Sequence, residues 1–275
     1  MAFVVCNQPE ISYIKYMKIL TWNDILFVLN TGDKNKYFEN GTGISVGSFD
    51  GLHKGHRVLL NSLVSSCKNE NLLSGVVTFK RPLPGIKHFG DYQGDISTLD
   101  QRIKLFENIG IDFVIVVDFD DAFASIHGAD FLDILKNVCN LQLLAEGVDF
   151  RCGYKGATDV QAIKYWTKKN NIKTIFIEPV YYREGTAEER VSSSFIRQMI
   201  RKGFFSTAND LLQRPYELSI KNHQTEIEKS SLEQVVPPVG IYHCRNENDE
   251  DVRIEVKDKK IVLNRKSDFL LFNSL

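Results

Sequence analysis

Three features of the sequence predict an α/β fold: a parallel, doubly wound sheet followed by a smaller β module. Short, nearly continuous Val/Ile/Leu runs alternate with helix-spaced segments as far as Arg214, the pattern of strands covered on both faces. After Arg214-Pro215 the helical spacing stops and short alternating pieces take over, as in antiparallel strands. The 275 residues, 43% hydrophobic and 25% charged, suffice for one large domain and one small one at roughly 150 residues per domain. The expected division is residues 1–214 and residues 215–275.

The first strand is Ile44–Val46, stopped by Gly47. From Gly55 to about Glu70, Val58, Leu59, Leu63 and Val64 recur at helical spacing. Gly75–Phe79 is a second strand, and the Pro- and Gly-bearing stretch Arg81–Gly94 reads as a loop. Ser97 or Thr98 caps a helix carrying Ile103, Leu105, Phe106 and Ile109, which Gly110 ends. Asp112–Val117 is the third strand, Ala129–Asn137 a helix, and Leu141–Ala145 the fourth strand. Ala162–Asn170 is helical, and Lys173–Ile177 is a fifth strand ended by Pro179. Helices at Ser194–Lys202 and Ser206–Gln213 complete the first part. In the tail, Gly240–Cys244, Val252–Val256, Lys260–Leu263 and Phe269–Phe272 read as strands separated by polar breaks.

Charge excludes some partners. Lys+Arg total 34 against 35 Asp+Glu, a net charge of -1, and a protein that coats nucleic acid would be strongly basic. No apolar run approaches the ~20 residues of a membrane span. The opening MAFVVCNQPE lacks a basic stretch and a long apolar stretch, which predicts no secretion signal. The five cysteines, Cys6, Cys67, Cys139, Cys152 and Cys244, are scattered without a C-x-x-C pair, as reduced cytoplasmic thiols would be.

Two segments carry chemistry. Gly47–His56 runs from a strand end into a helix, and Gly47, Gly51 and Gly55 let the backbone turn tightly and approach a ligand. The helix start offers free N–H groups suited to phosphate. His53 and His56 can project to one side and donate hydrogen bonds to a phosphate whose charge grows in a transition state. A metal pair is an alternative for two such histidines, although no cluster of further ligands accompanies them. The second segment, Val191–Arg197, reads VSSSFIR. Ser192, Ser193 and Ser194 lie at a helix start, where hydroxyls and N–H groups bind anions, and Arg197 can reach the same group from the first turn.

His53-Lys54-Gly55-His56 resembles the H-x-G-H signature of the nucleotidyltransferase superfamily. The longer string Gly47-Ser48-Phe49-Asp50-Gly51-Leu52-His53-Lys54-Gly55-His56 is similar to the G-x-F-D-G-[VL]-H-x-G-H pattern of the bacterial FAD synthetase family, the riboflavin kinase/FMN adenylyltransferases. Glu146–Asp159, EGVDFRCGYKGATD, resembles that family's G-x-[DN]-F-R-F-G segment, and VSSSFIR resembles its I-S-S-T-x-I-R motif. LLQRPYEL at Leu211–Leu218 is similar to the junction between the family's two modules, and Val235–Tyr242 faintly resembles a strand entry of its kinase barrel. The resemblance, over roughly residues 43–218, implies a Rossmann-like nucleotidyltransferase fold in the cytoplasm that joins ATP and FMN with Mg²⁺. It assigns catalysis to His53, His56, Ser194 and Arg197, and substrate contacts to Gly47, Ser48, Phe49, Asp50, Gly51, Gly55, Phe150, Arg151, Gly153, Lys155, Ser192 and Ser193. Asp149 becomes the candidate Mg²⁺ contact.

The sequence departs from the family in places. The tail after Pro215 is about half the usual kinase module and lacks P-T-A-N, which implies no riboflavin kinase activity and a reduced barrel. Thr78–Pro84, TFKRPLP, carries Lys80 and Arg81 where the family has T-F-[ED]-P-H-P, and a contact of either with the FMN phosphate is one expectation. Ser48 replaces a common Asn, and Phe195 stands where many members have an Arg. Residues 1–16 precede the family's usual start and are expected to be an extension. Two other readings stay open: a nucleotidyltransferase using another phosphorylated acceptor, such as a pantetheine or sugar-alcohol phosphate, and a flavin- or nucleotide-binding protein without catalysis.

Overall fold

A computed structural model describes residues 17–32, 36–83, 92, 94–184, 187–220 and 224–273. The expected extension at residues 1–16, most of the loop between Arg81 and Gly94, and Cys6 lie outside them.

The first sheet has six parallel strands: β1 (Lys18–Thr21), β2 (Thr42–Val46), β3 (Leu73–Phe79), β4 (Phe113–Val117), β5 (Leu141–Gly147) and β6 (Lys173–Ile177), in the order β1-β4-β3-β2-β5-β6. From β2 the chain steps outward to β3 and β4, then returns to the other side of β2 for β5 and β6. The direction reverses between β2 and β5, and their pairing runs only from Thr42↔Leu141 to Ile44↔Leu144. Beyond that point the two carboxyl ends part, the crevice where open α/β sheets bind ligands.

Helices cover both faces. They are α1 (Trp22–Thr31), α2 (Lys54–Glu70), α3 (Leu99–Ile109), the short α4 (Asp121–Ala124), α5 (Gly128–Cys139) and α6 (Val160–Lys169). Thr98 and Gly110 cap α3 as expected, Thr98 accepting from the Gln101 N–H and Gly110 adopting a left-handed φ of 89°. Two periodicity readings need correction. Val58 is exposed, and Leu60 joins Leu59, Leu63, Val64 and Cys67 on the buried face of α2. On α3, Arg102 and Phe106 are the buried pair, while Ile103, Leu105 and Ile109 are half-buried.

β1 and α1 were not expected from the apolar pattern. Thr21 begins α1 with a capping box, accepting from the Asp24 N–H (3.2 Å) while the Asp24 carboxylate accepts from the Thr21 N–H (2.7 Å). The Thr-x-x-Asp spacing, followed by Gly32 as a left-handed C-cap, was the readable signal.

A hairpin, β7 (Tyr181–Glu184) and β8 (Ala187–Arg190), leads into α7 (Ser193–Arg201) and α8 (Phe205–Leu212). The second sheet is antiparallel throughout: β9 (Tyr216–Ser219), β10 (Glu226–Glu228), β11 (Gly240–Arg245), β12 (Asp251–Val256), β13 (Lys260–Leu263) and β14 (Phe269–Phe272), in the order β10-β13-β12-β11-β14-β9. The four expected tail strands are present, and β9 and β10 are additional. Ile196, Met199, Ile200, Phe205, Ala208, Leu211 and Leu212 of α7 and α8 pack into one core with Tyr216, Val252, Ile254, Ile261, Leu270 and Phe272 of this sheet.

The four described cysteines, Cys67, Cys139, Cys152 and Cys244, are free and buried, and burial pushes each thiol up to about 12. Such thiols are unreactive at neutral pH. No helix among the described residues is long and apolar enough to cross a membrane.

Candidate active site

The loop after β2 is rigid because its backbone is bent and its side chains are buried. Phe49 (φ 47°), Gly51 (φ 77°) and Leu52 (φ 40°) are left-handed, a conformation costly for a side-chain-bearing residue. Burial of Phe49 and Leu52 offsets the cost: the Phe49 ring meets Phe106 and His56 edge-on at 5.7 Å and 5.2 Å. At Gly51 a Cβ would fall 2.9 Å from Ile96 Cγ2. His53 is the N-cap of α2, and its Nδ1 accepts weakly from the His56 N–H (3.4 Å).

The two imidazoles stack with centroids 3.6 Å apart and planes 18° apart. Burial, then the charges of Arg190 and Arg214, lowers His53 to about 4. Burial and His53 hold His56 well below its ordinary value. Both are neutral at pH 7, and the buried Nδ1 of His56 has no hydrogen-bond partner among the described residues. The unfolded chain therefore takes up the His53 proton first as pH falls. His53 contributes stability above pH ~6.5 that is lost between there and about pH 4, roughly 3 kcal/mol in all. Urea denaturation at pH 7 and pH 4 should show the wild type losing that much more stability than His53→Gln; equal losses would contradict it.

Asp50 ties three elements together. Its buried carboxylate accepts from the Ile96 N–H (2.9 Å) and Ser97 N–H (3.0 Å) and pairs with Arg197 Nη2 at 2.5 Å. Arg197, also buried, gives its Nε–H to the Gly94 carbonyl (2.8 Å) and lies over the Tyr92 ring. Expected at the phosphates, Arg197 thus stands behind the loop. Ser192 caps α7 by accepting from the Phe195 N–H, and Ser193 Oγ donates to the Asp50 carbonyl at 2.9 Å. Ser192 and Ser193 line the cavity, whereas Ser194 is exposed and does not.

Two cavities adjoin at the carboxyl ends of β2 and β5. The polar one, about 320 Å³, is lined by Gly47, Ser48, Phe49, Asp50, His53, Gly55 and His56, by Glu146, Asp149 and Glu178, and by Arg190, Ser192 and Ser193. The other, about 590 Å³, is walled by Phe79, Phe119, Phe123, Phe131 and Tyr154, with Arg151, Gly153 and Lys155 on its rim. Val46 and Phe150 border both. A larger space of about 1000 Å³ sits at the opposite end, where β5 and β6 begin, away from the crevice.

The segment after β5 is fixed by close packing. Gly153 (φ 75°) lies so near α5 that a Cβ would come 2.2 Å from the Gly128 nitrogen. Arg151 Nε donates to the Gly156 carbonyl (2.7 Å), and Lys155 lies over the Tyr154 ring. Asp149, half-exposed, pairs with Arg190 at 2.6 Å. Lys80 pairs with Asp118 and Arg81 with Asp95, so both cations of the altered Thr78–Leu83 stretch already have carboxylates; Pro84 lies outside the described residues. Among the described residues no group of three or more His, Cys, Asp or Glu is placed to hold a metal.

Several site residues escaped the sequence reading, among them Glu178 just after β6 and the aromatic wall Phe79, Phe119 and Phe123. Arg190 precedes the serine motif by one residue. Glu146 extends β5 beyond the apolar run that ended at Ala145, and its Oε1 accepts the Val46 N–H at 2.8 Å. Arg102, fully buried, donates through Nη1 to Ser48 O, Thr78 Oγ1 and Phe79 O (each 2.9 Å) and through Nη2 to Lys80 O (3.0 Å), fastening the β2 loop to the end of β3. A lone charge on an amphipathic helix carries no sign that it is buried.

The sequence profile described as FAD synthetase matches residues 35–195, more than half of the chain. A bifunctional riboflavin kinase/FMN adenylyltransferase of Buchnera aphidicola subsp. Schizaphis graminum is 28% identical over 186 residues, 67% of this chain and 58% of that protein. An FAD synthetase of Listeria monocytogenes is 26% identical over 203 residues, 72% of this chain and 79% of that one. The match thus takes in little more than half the length of the bifunctional relative. A crystal structure titled as a macrolide-efflux protein from Streptococcus pneumoniae superposes with a TM-score of 0.71 at 19% identity, covering 94% of this chain and 98% of that one. That likeness concerns the fold alone, and it extends over both sheets.

Proposed function

We propose, for a chain that belongs to the FAD synthetase family, the transfer of AMP from ATP to FMN, giving FAD and pyrophosphate. The observation that carries this reading is the junction of a polar, His-lined cavity with an aromatic one at the parting of β2 and β5. The flavin ring belongs among Phe79, Phe119, Phe123 and Phe150, and the phosphates belong beside His53, His56 and the start of α7.

A phosphate oxygen of FMN attacks the α-phosphorus of ATP. The bond from that phosphorus to the bridging oxygen breaks, and pyrophosphate leaves with the electron pair. Catalysis is positioning and charge stabilisation. His56 and His53 donate to the α-phosphate oxygens as charge builds. Ser192, Ser193 and the free N–H groups of α7 hold the departing pyrophosphate, and Arg190 supplies positive charge at the same rim. Arg197 acts through Asp50 as a positioning residue. Asp149 and Glu178 give the cavity two carboxylates, which fits a Mg²⁺ ion taking its remaining oxygens from phosphates and water. When bound, the ion would offset phosphate charge, and Arg190 would then release Asp149.

The proposed transferase module is residues 1–214, followed by a small β module at residues 215–275 without riboflavin kinase activity, since P-T-A-N is absent after Leu218. Purified protein with ATP, Mg²⁺ and FMN should release one pyrophosphate per FAD, with no turnover of riboflavin. Pyrophosphate release with a different phosphorylated acceptor and none with FMN would replace the acceptor. Flavin binding without turnover would make the protein a carrier.

A further inference from the structure

Glu146 is placed oddly for a strand residue. It is buried at the end of β5, and no cation pairs with it among the described residues. Its Oε1 accepts the Val46 N–H where β2 and β5 have stopped pairing, so the side chain fills in for a missing strand partner. That duty uses one lone pair. The second carboxyl oxygen has no hydrogen bond among the described residues, and Glu146 lines the polar cavity. Val46, which it holds, borders both cavities, as does Phe150.

A ligand with its ring in the aromatic cavity and its phosphate in the polar one must pass its linking chain over this divide. In a flavin mononucleotide that chain is a polyol. We propose that Glu146 is the positioning residue for the hydroxyl-bearing chain between flavin ring and phosphate, and that it selects acceptors carrying such a chain. The inference rests on the function proposed above. Hydroxyls both donate and accept, and a protonated carboxyl does both as well, whereas a carboxylate only accepts and would repel the nearby phosphates. Burial pushes the Glu146 carboxyl well above the usual range, which favours the protonated form that can donate as well as accept.

Flavin fluorescence quenching tests this with three ligands: FMN, riboflavin, and lumiflavin, which has the ring without the chain. Glu146→Leu should weaken FMN and riboflavin about tenfold, the loss expected for one hydrogen bond, and leave lumiflavin and the KM for ATP unchanged. Glu146→Gln, which still donates and accepts, should bind all three within about threefold of wild type. Unchanged FMN affinity in E146L, or equal weakening of lumiflavin, would overturn the proposal, the second outcome marking a merely structural wall.

Should E146L unfold, wild type and E146Q compared by riboflavin affinity from pH 6 upward carry the test. The wild type should weaken as the carboxyl ionises, and E146Q should not; identical profiles would overturn the idea. The other charged or titratable groups lining the two cavities are Asp50, His53, His56, Asp149, Glu178 and Arg190 in the polar one and Arg151, Cys152, Tyr154 and Lys155 in the aromatic one, and all are common to both proteins. Wild-type protein that binds neither FMN nor lumiflavin would instead remove the function on which the inference stands.

Discussion

His56→Ala is expected to lower kcat for the proposed AMP transfer by about 10²–10³-fold and to leave FMN affinity within about twofold, the loss typical of one donor aimed at developing charge. The reason lies in the stack with His53. His56 Nδ1 is buried and unpartnered among the described residues, none of which competes for that atom, and the edge of Phe49 holds the ring's orientation. A rigid neutral donor in a dry wall loses little to reorganisation when charge appears beside it. Steady-state kinetics together with flavin fluorescence separate the two effects. A kcat within fivefold of wild type would remove His56 from the chemistry. His53→Ala should cost stability as well as rate, because His53 is also the N-cap of α2.

Asp50→Asn is expected to destabilise the protein by about 3–5 kcal/mol, because it leaves the buried Arg197 without its counter-charge. Arg197→Met is expected to cost a similar amount for the converse reason. The double variant should cost well under the sum, since it removes both charges together. Chemical denaturation of the four proteins measures this. Additive losses would mean that the pair is not coupled, and would return Arg197 to the phosphates as a direct ligand. The cycle therefore decides between two duties for one residue, which activity assays on R197M alone would confuse.

Apolar runs located five of the six parallel strands, all but β1, because a strand covered on both faces has little choice of residue type. The Gly47–His56 loop was legible for a related reason. Its glycines and histidines follow directly from a strand end, and local backbone demands dictate that order. Features set by distant partners were not legible. The Ser192–Arg197 spacing places Arg197 on the first turn of a helix but says nothing of Asp50, which lies far away in sequence. Arg102 looks like a surface charge until the end of β3 closes over it. The hairpin β7–β8 has charged residues on successive positions, so no alternation marks it, and with it Arg190 went unseen. Glu146 interrupted an apolar run and was taken for its end, although the strand continues through it.

The interior that α7 and α8 share with the antiparallel sheet bears on how this protein can change over evolutionary time. Ser193, at the rim of the polar cavity, begins a helix whose far face rests on Val252, Ile254 and Leu270 among others. A lineage that lost the small sheet would first have to find new cover for Ile196, Met199 and Ile200, or the helix carrying Ser193 would lose its seat. Selection on the polar cavity thereby preserves the sheet whatever else the sheet does. Its strands are free to drift in surface chemistry while their inward residues are not, so the sheet persists as scaffolding for the helix beside the cavity.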